Sequence, residues 1–238
     1  MSITVENNKL VFGEVDCPLL QEPAGEVNSL RKESVESFIA LLASKLAAPG
    51  GGGAAALSAS QGFALASMVC NLTIGKKKFA EFEERLIAIQ RDCSKKANRM
   101  LTLIDLDEEY FLPLSKAYGL PANTDEEKAK KKIIMDEALV TACLVPLETL
   151  KTSYEAFEML LELMKISSKL VMSDVGVAAE SFRAAIESAK LNVLINLKML
   201  EDSPIKSEIS SILKKVDTDY PKQYQEVMAY VIDTITLG

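Results

Sequence analysis

The sequence predicts an all-α protein, a bundle of about seven to nine helices around one buried Ala/Gly-rich helix, preceded by a short N-terminal appendage. Three observations carry that expectation. From Ser34 onward apolar residues recur at helical spacing, and strand-like alternation is confined to the first dozen residues. No charged residue occurs from Leu46 to Gly75, a stretch opened by Pro49-Gly50-Gly51-Gly52-Gly53-Ala54-Ala55-Ala56 and closed by Lys76-Lys77-Lys78.

Taken in order, Ile3-Thr4-Val5 and Lys9-Leu10-Val11-Phe12 flank Glu6-Asn7-Asn8, the pattern of a small hairpin, and Pro18 to Asn28 reads as loop. Residues 1–30 are therefore assigned to the appendage and 31–238 to one helical domain. Ser34 is expected to cap the first helix, with Val35, Phe38, Ile39, Leu42 and Leu46 at helical spacing. Pro49 stiffens the lead-in to the glycines, which permit close approaches, and the Ala-rich run then favours helix over about Gly53 to Asn71. A long helix is expected from Lys78 to about Tyr118, interrupted at or near Pro113. Thr124 with Glu127 forms a capping box, opening a helix expected to bend at Pro146 and to continue to Met172. Ala178 to Met199 gives another, Ser203-Pro204 a short one, and Asp219-Tyr220-Pro221 the start of the last.

The 238 residues and 26.0 kDa suit one domain with a real core. A net charge of −7 and a pI near 4.9 argue against a general nucleic-acid binder, although a local lysine cluster can still hold an acidic small molecule. Cys17, Cys70, Cys93 and Cys143 are scattered with no C-x-x-C pair, which predicts a reduced, cytoplasmic protein with incidental thiols. Met1 to Glu6 offers no basic region ahead of an apolar core, so no signal peptide is expected. Ser58, Ser60, Gln61, Asn71 and the glycines make the uncharged stretch too polar for a membrane span. A helix so poor in charge must be covered on all sides, either by a larger core or by a second copy; a homodimer is the expectation.

Histidine is absent, which removes the usual general base, the usual zinc ligand and every Ser-His or Cys-His nucleophile. Chemistry must rest on carboxylates, lysines, hydroxyls, amides and backbone dipoles, and no metal is expected. Gly51, Gly53 and Ala56 fit G-x-G-x-x-A, but a helix rather than a strand precedes them and no acid follows until Glu81; Gly75-Lys76 lacks the rest of a P-loop. Gly50, Gly51, Gly52 and Gly53 either bring helix-start amides to a ligand or let two helices touch. Asp105, Asp107, Glu108 and Glu109 are either a solvated face or acid/base groups; Asp107 shares a helix face with Phe111, and Asp105 with Glu108 or Glu109. Asp174 either caps a helix or accepts hydrogen bonds in a site, and Asn192 and Asn196 lie one turn apart.

Five segments in order resemble the cyclodeaminase/cyclohydrolase family of folate one-carbon enzymes: Pro49 to Ala56, Thr73-Ile74-Gly75-Lys76-Lys77-Lys78-Phe79, Asp105 to Phe111 with Leu120-Pro121, Ser173 to Ala179, and Asn192 to Leu197. The resemblance runs from about Ser34 to Leu237. The family commonly has Ser where this chain has Gly53, and Tyr where it has Phe79. What the resemblance implies is an all-helical homodimer acting on the one-carbon bridge between nitrogens 5 and 10 of tetrahydrofolate, with no cofactor beyond that substrate. The leading expectation is hydrolysis of 5,10-methenyltetrahydrofolate to 10-formyltetrahydrofolate. Cyclisation of 5-formiminotetrahydrofolate with loss of ammonia is the alternative, and a folate-binding dimer without catalysis a third. Asp107 is the first choice for acid/base work, with Asp105 and Asp174 as alternatives. Lys76, Lys77 and Lys78 either pair with the carboxylates of a glutamate or polyglutamate tail or mark the solvent end of the buried helix. Gly50 to Gly53, Asn192 and Asn196 are the remaining candidate substrate contacts.

Overall fold

Ser34 accepts the Ser37 N–H in its side chain and opens α1 (Val35–Leu42), as its residue type dictates. In the computed structural model, the structure describes residues 29–237 and two short strands, β1 (Val5–Glu6) and β2 (Lys9–Leu10). The strands pair antiparallel with Val5 opposite Leu10, within the expected hairpin; residues 1–4, 7–8 and 11–28, Cys17 among them, lie outside the described residues. After α1 come α2 (Gly51–Asn71), a 3-10 turn at Lys77–Phe82, α3 (Glu83–Tyr118), α4 (Asp125–Ile166), α5 (Met172–Met199) and α6 (Pro204–Leu237).

Six α-helices are thus present among the described residues, fewer than the seven to nine expected. The difference lies at prolines. Pro113 and Pro221 each sit inside a continuous helix, as does Pro146, where the helix was expected to continue, and the short helix expected after Ser203 runs unbroken to Leu237. An internal proline removes one hydrogen bond at a cost of roughly 3 kcal/mol. Burial on both sides offsets that cost: Tyr110 and Leu114 flank Pro113, Val145 and Leu147 flank Pro146, and Tyr220 and Val227 flank Pro221. The capping box of Thr124 and Glu127 is formed as expected. α5 starts at Met172 rather than Ala178, because the 3-10 turn Lys169–Val171 already points the chain along it.

α2 is the axis of the bundle, packed against α3, α5 and α4. Its small residues make this packing close: Ala55, Ala56, Ala59, Phe63, Ala66, Val69 and Cys70 are buried. A Cβ at Gly62 would lie 2.7 Å from the Phe182 ring, which stacks edge-on to Phe63 at 4.7 Å. α2 is long and apolar enough to cross a membrane, yet 61% of its apolar window is buried inside the bundle. Its own exposed positions, Gly51, Gln61, Ala64, Met68 and Asn71, carry no charge.

α2 and α5 run antiparallel and are tied at both ends. Thr73, just after α2, accepts the N–H of Ser168 ahead of α5, while Gly51 at the start of α2 lies against Asn192 in the last third of α5. Gly75, at φ 79°, turns the chain away beyond Thr73 in a conformation only glycine adopts readily. Cys70, Cys93 and Cys143 are free and buried, and burial pushes each thiol up to about 12, leaving them protonated and inert.

Candidate active site

The start of α2 is unusual because Gly50, its N-cap, has no side chain to satisfy the orphan amides. The first intrahelical bond is donated by Ala54 to the Gly50 carbonyl. Gly53 N–H instead donates to Asp107 Oδ2 at 2.9 Å, across from α3. Gly51 and Gly52 N–H find no acceptor among the described residues. The three amides form the positive end of the helix, with the carboxylate on one and the other two open.

Asp107 can sit there only because residue 52 is glycine. A Cβ at Gly52 would fall 2.1 Å from Asp107 Oδ1, whereas one at Gly51 would approach the Asn192 amide at 3.2 Å. These groups wall a cavity of about 180 Å³, completed by Ala47, Ala48, Glu108, Phe111, Ala142, Pro146, Ile195 and Asn196. Desolvation pushes the Asp107 carboxyl up to about 6, and the Gly53 hydrogen bond only partly counters it. A carboxylate poised near neutrality is what a general base without histidine requires.

Asp105 has a different task. It accepts from Ser29 Oγ at 2.7 Å and Arg31 N–H at 3.0 Å, and pairs with the Arg31 guanidinium at 3.1 Å. Being two residues from Asp107 on a helix, it faces elsewhere and pins the segment leading into α1. Asp105→Asn is expected to lower stability by about 1–3 kcal/mol while leaving kcat of the folded protein unchanged. Thermal unfolding alongside an activity assay checks both halves.

Asp174 occupies the first turn of α5, whose N-cap position is Val171, so it does not cap the helix; its charge instead suits the helix's positive end. Eighteen residues of helix separate it from Asn192, roughly 27 Å at 1.5 Å per residue. Lys76, Lys77 and Lys78 are exposed beyond the opposite end of α2, roughly 30 Å from Gly51 by the same rise. Of the residues singled out from sequence, one chain therefore brings together Gly50, Gly51, Gly52, Gly53, Asp107, Asn192 and Asn196. It leaves Asp105, Asp174 and the lysines outside that cavity.

Residues 34–215 match the family model described as formiminotransferase-cyclodeaminase. The chain belongs to this family. A methenyltetrahydrofolate cyclohydrolase of Methylorubrum extorquens is 43% identical over 176 residues, which cover 74% of this chain and 85% of that protein. The formimidoyltransferase-cyclodeaminase of Rattus norvegicus is 33% identical over 199 residues, 82% of this chain but only 37% of the rat protein. Among solved structures, a formiminotetrahydrofolate cyclodeaminase from Thermotoga maritima superposes with a TM-score of 0.77 at 25% identity, covering 87% of this chain and 99% of the other.

The two departures from the family's motifs now have places. A Cβ at Gly53 would meet Ile104 and Pro49 at 3.7 Å, ordinary contact, so the helix start has room for the serine common in the family. Phe79 lies beside Lys78 at the other end of α2, so no hydroxyl is lost from the cavity there. Sequence reasoning missed Ala142 and Pro146 as wall residues. The available signal was a proline in the middle of an apolar helical pattern.

Proposed function

We propose that the protein hydrolyses 5,10-methenyltetrahydrofolate to 10-formyltetrahydrofolate. The observation that carries this reading is the Asp107 carboxylate, held beside two open backbone amides in a small cavity and titrating at about 6. Water adding to the cationic methenyl carbon passes a proton to Asp107, giving a tetrahedral carbon between the two nitrogens. The Gly51 and Gly52 amides can take the oxygen as charge grows on it during collapse. Asp107 then returns its proton to nitrogen 5 as the bond from that nitrogen to carbon breaks, the formyl group stays on nitrogen 10, and one proton leaves to solvent. No metal enters this scheme, and among the described residues no three His, Cys, Asp or Glu side chains converge to hold one.

The same base suits attack by nitrogen 10 on a 5-formimino carbon with loss of ammonia, the ammonia-lyase reading favoured by the Thermotoga neighbour. Hydrolysis stands first because the Methylorubrum cyclohydrolase shares the higher identity and 85% of its length. The deciding experiment follows the loss of methenyltetrahydrofolate absorbance against the spontaneous rate, in parallel with ammonia release from 5-formiminotetrahydrofolate. Acceleration of the first alone supports hydrolysis, ammonia release supports the lyase, and tight binding without either supports a non-catalytic folate binder.

The reading extends to a cytoplasmic homodimer acting on polyglutamylated folates. The uncharged exposed face of α2 continues onto Val177, Ala184, Leu191 and Ile195 of α5, which recur at heptad-like spacing. A two-fold axis across the middle of α2 sets the basic end of one copy over the acidic, Asp107-bearing end of the other, so that Lys76, Lys77 and Lys78 of the partner subunit meet the carboxylates of the tail. Mixing Asp107→Asn subunits with Lys76→Ala/Lys77→Ala/Lys78→Ala subunits is then expected to restore about a quarter of wild-type activity toward polyglutamylated substrate through randomly paired dimers. No restoration would place the lysines outside the site.

A further inference from the structure

Pro146 lies inside α4 and, with Ala142 one turn earlier, lines the cavity. In an α-helix the residue at 146 donates its N–H to the carbonyl of residue 142; proline has no N–H, so the Ala142 carbonyl loses its donor. A second polar group stands on the same wall. The Asn196 side chain lies beside the thiol of Cys143, the residue next to Ala142, and Asn196 itself lines the cavity while only 8% exposed. A buried carbonyl without a donor costs free energy unless something occupies it. The helix could recover that bond with almost any other residue at 146, and the flanking Val145 and Leu147 are buried apolar groups that would hold it straight.

We infer that the Ala142 carbonyl, freed by Pro146 and seconded by the Asn196 amide, is the acceptor that recognises the N–H edge of the substrate's pterin ring. This deepens the folate reading and rests on it. The cavity, at about 180 Å³, falls below the roughly 300 Å³ at which pockets enclosing a whole drug-sized ligand begin, so it suits one bicyclic ring with the remainder of the folate outside. Asp107 and the α2 amides stand at one wall for the reacting carbon, and α4 with Asn196 stands at another for the ring. The substrate's pterin carries its 2-amino group and N3–H on the pyrimidine half, away from the one-carbon bridge, which matches two separate walls. Pro146 is then a positioning residue, acting through the carbonyl it leaves open.

The test is Pro146→Ala, which restores the helix donor and takes the acceptor away. KM for methenyltetrahydrofolate is expected to rise about tenfold, the size of one buried hydrogen bond, with kcat little changed and the melting temperature raised. A folate analogue lacking the 2-amino group separates recognition from packing. The wild type should bind it about tenfold more weakly than the parent compound, whereas Pro146→Ala should no longer distinguish the two. An unchanged KM, or a variant that keeps full discrimination, overturns the inference. A variant that melts lower and loses affinity for both compounds equally overturns it too, since that is the signature of lost packing. Wild-type protein that neither binds nor converts folates would instead overturn the functional reading itself.

Discussion

Asp107→Asn is expected to reduce kcat for methenyl hydrolysis by roughly 100- to 10,000-fold, the usual share of a general base, and at the same time to make the protein more stable. Both effects come from one feature. The carboxyl is held at about 6 because burial penalises its charge, so it is a base near neutral pH and a cost to folding. In the wild type kcat should fall as pH drops through about 6, where Asp107 takes up the proton that disables it. The residual rate of the asparagine variant should lose that dependence. For stability the direction is opposite: the folded state holds the proton more tightly than the unfolded chain, so stability declines as pH rises from about 4 to about 6 and the full cost is present above that. Asparagine keeps an oxygen for the Gly53 N–H and removes the charge, for a gain of about 3 kcal/mol at pH 8 that vanishes near pH 4. Denaturant unfolding at the two pH values, beside a pH–rate profile, reads the pair.

Gly52→Ala should be nearly as damaging to activity, although it adds one methyl group. The new carbon would sit 2.1 Å from Asp107 Oδ1, which neither a helix start nor a buried carboxylate can absorb in place. Turnover is expected to fall at least 100-fold as the base leaves its position, with a loss of about 1–3 kcal/mol in stability from overpacking. In an Asp107→Ala background the same substitution should be close to neutral for stability, because the obstructing oxygen is gone; the double-mutant cycle measures that coupling. Gly53→Ala serves as the control. Its methyl group would meet only Ile104 and Pro49 at ordinary contact distance, and the N–H that holds Asp107 is retained.

The helical architecture was legible because its signals are local. Ser34, the Thr124/Glu127 box and the charge-free run each mark a boundary or a burial state through chemistry within one or two turns. Pro113 and Pro221 misled for the converse reason: whether a proline interrupts a helix depends on the packing that surrounds it, and that packing comes from other helices. The site divides along the same line. Gly52, Asp107, Asn192 and Asn196 were visible as unusual residues, and α2, α3 and α5 bring them together. Nothing near Asp105 in sequence announces Ser29 and Arg31, more than seventy positions upstream, so its pairing could not be read from the acidic run. Ala142 was invisible for a deeper reason, since its contribution is a backbone atom and the informative residue stands four places later.

The double tie between α2 and α5 also governs how this protein can change over generations. Gly51 to Thr73 and Ser168 to Asn192 are stretches of similar length fastened to each other at both ends. A single inserted residue in either would turn everything beyond it by about 100° and shift it by about 1.5 Å. The Gly51 end would lose its register with Asn192, or the Thr73 end its bond to Ser168. Length variation is therefore expected in the loops and the outer helices, while these two helices behave as a pair of rulers that must be cut together.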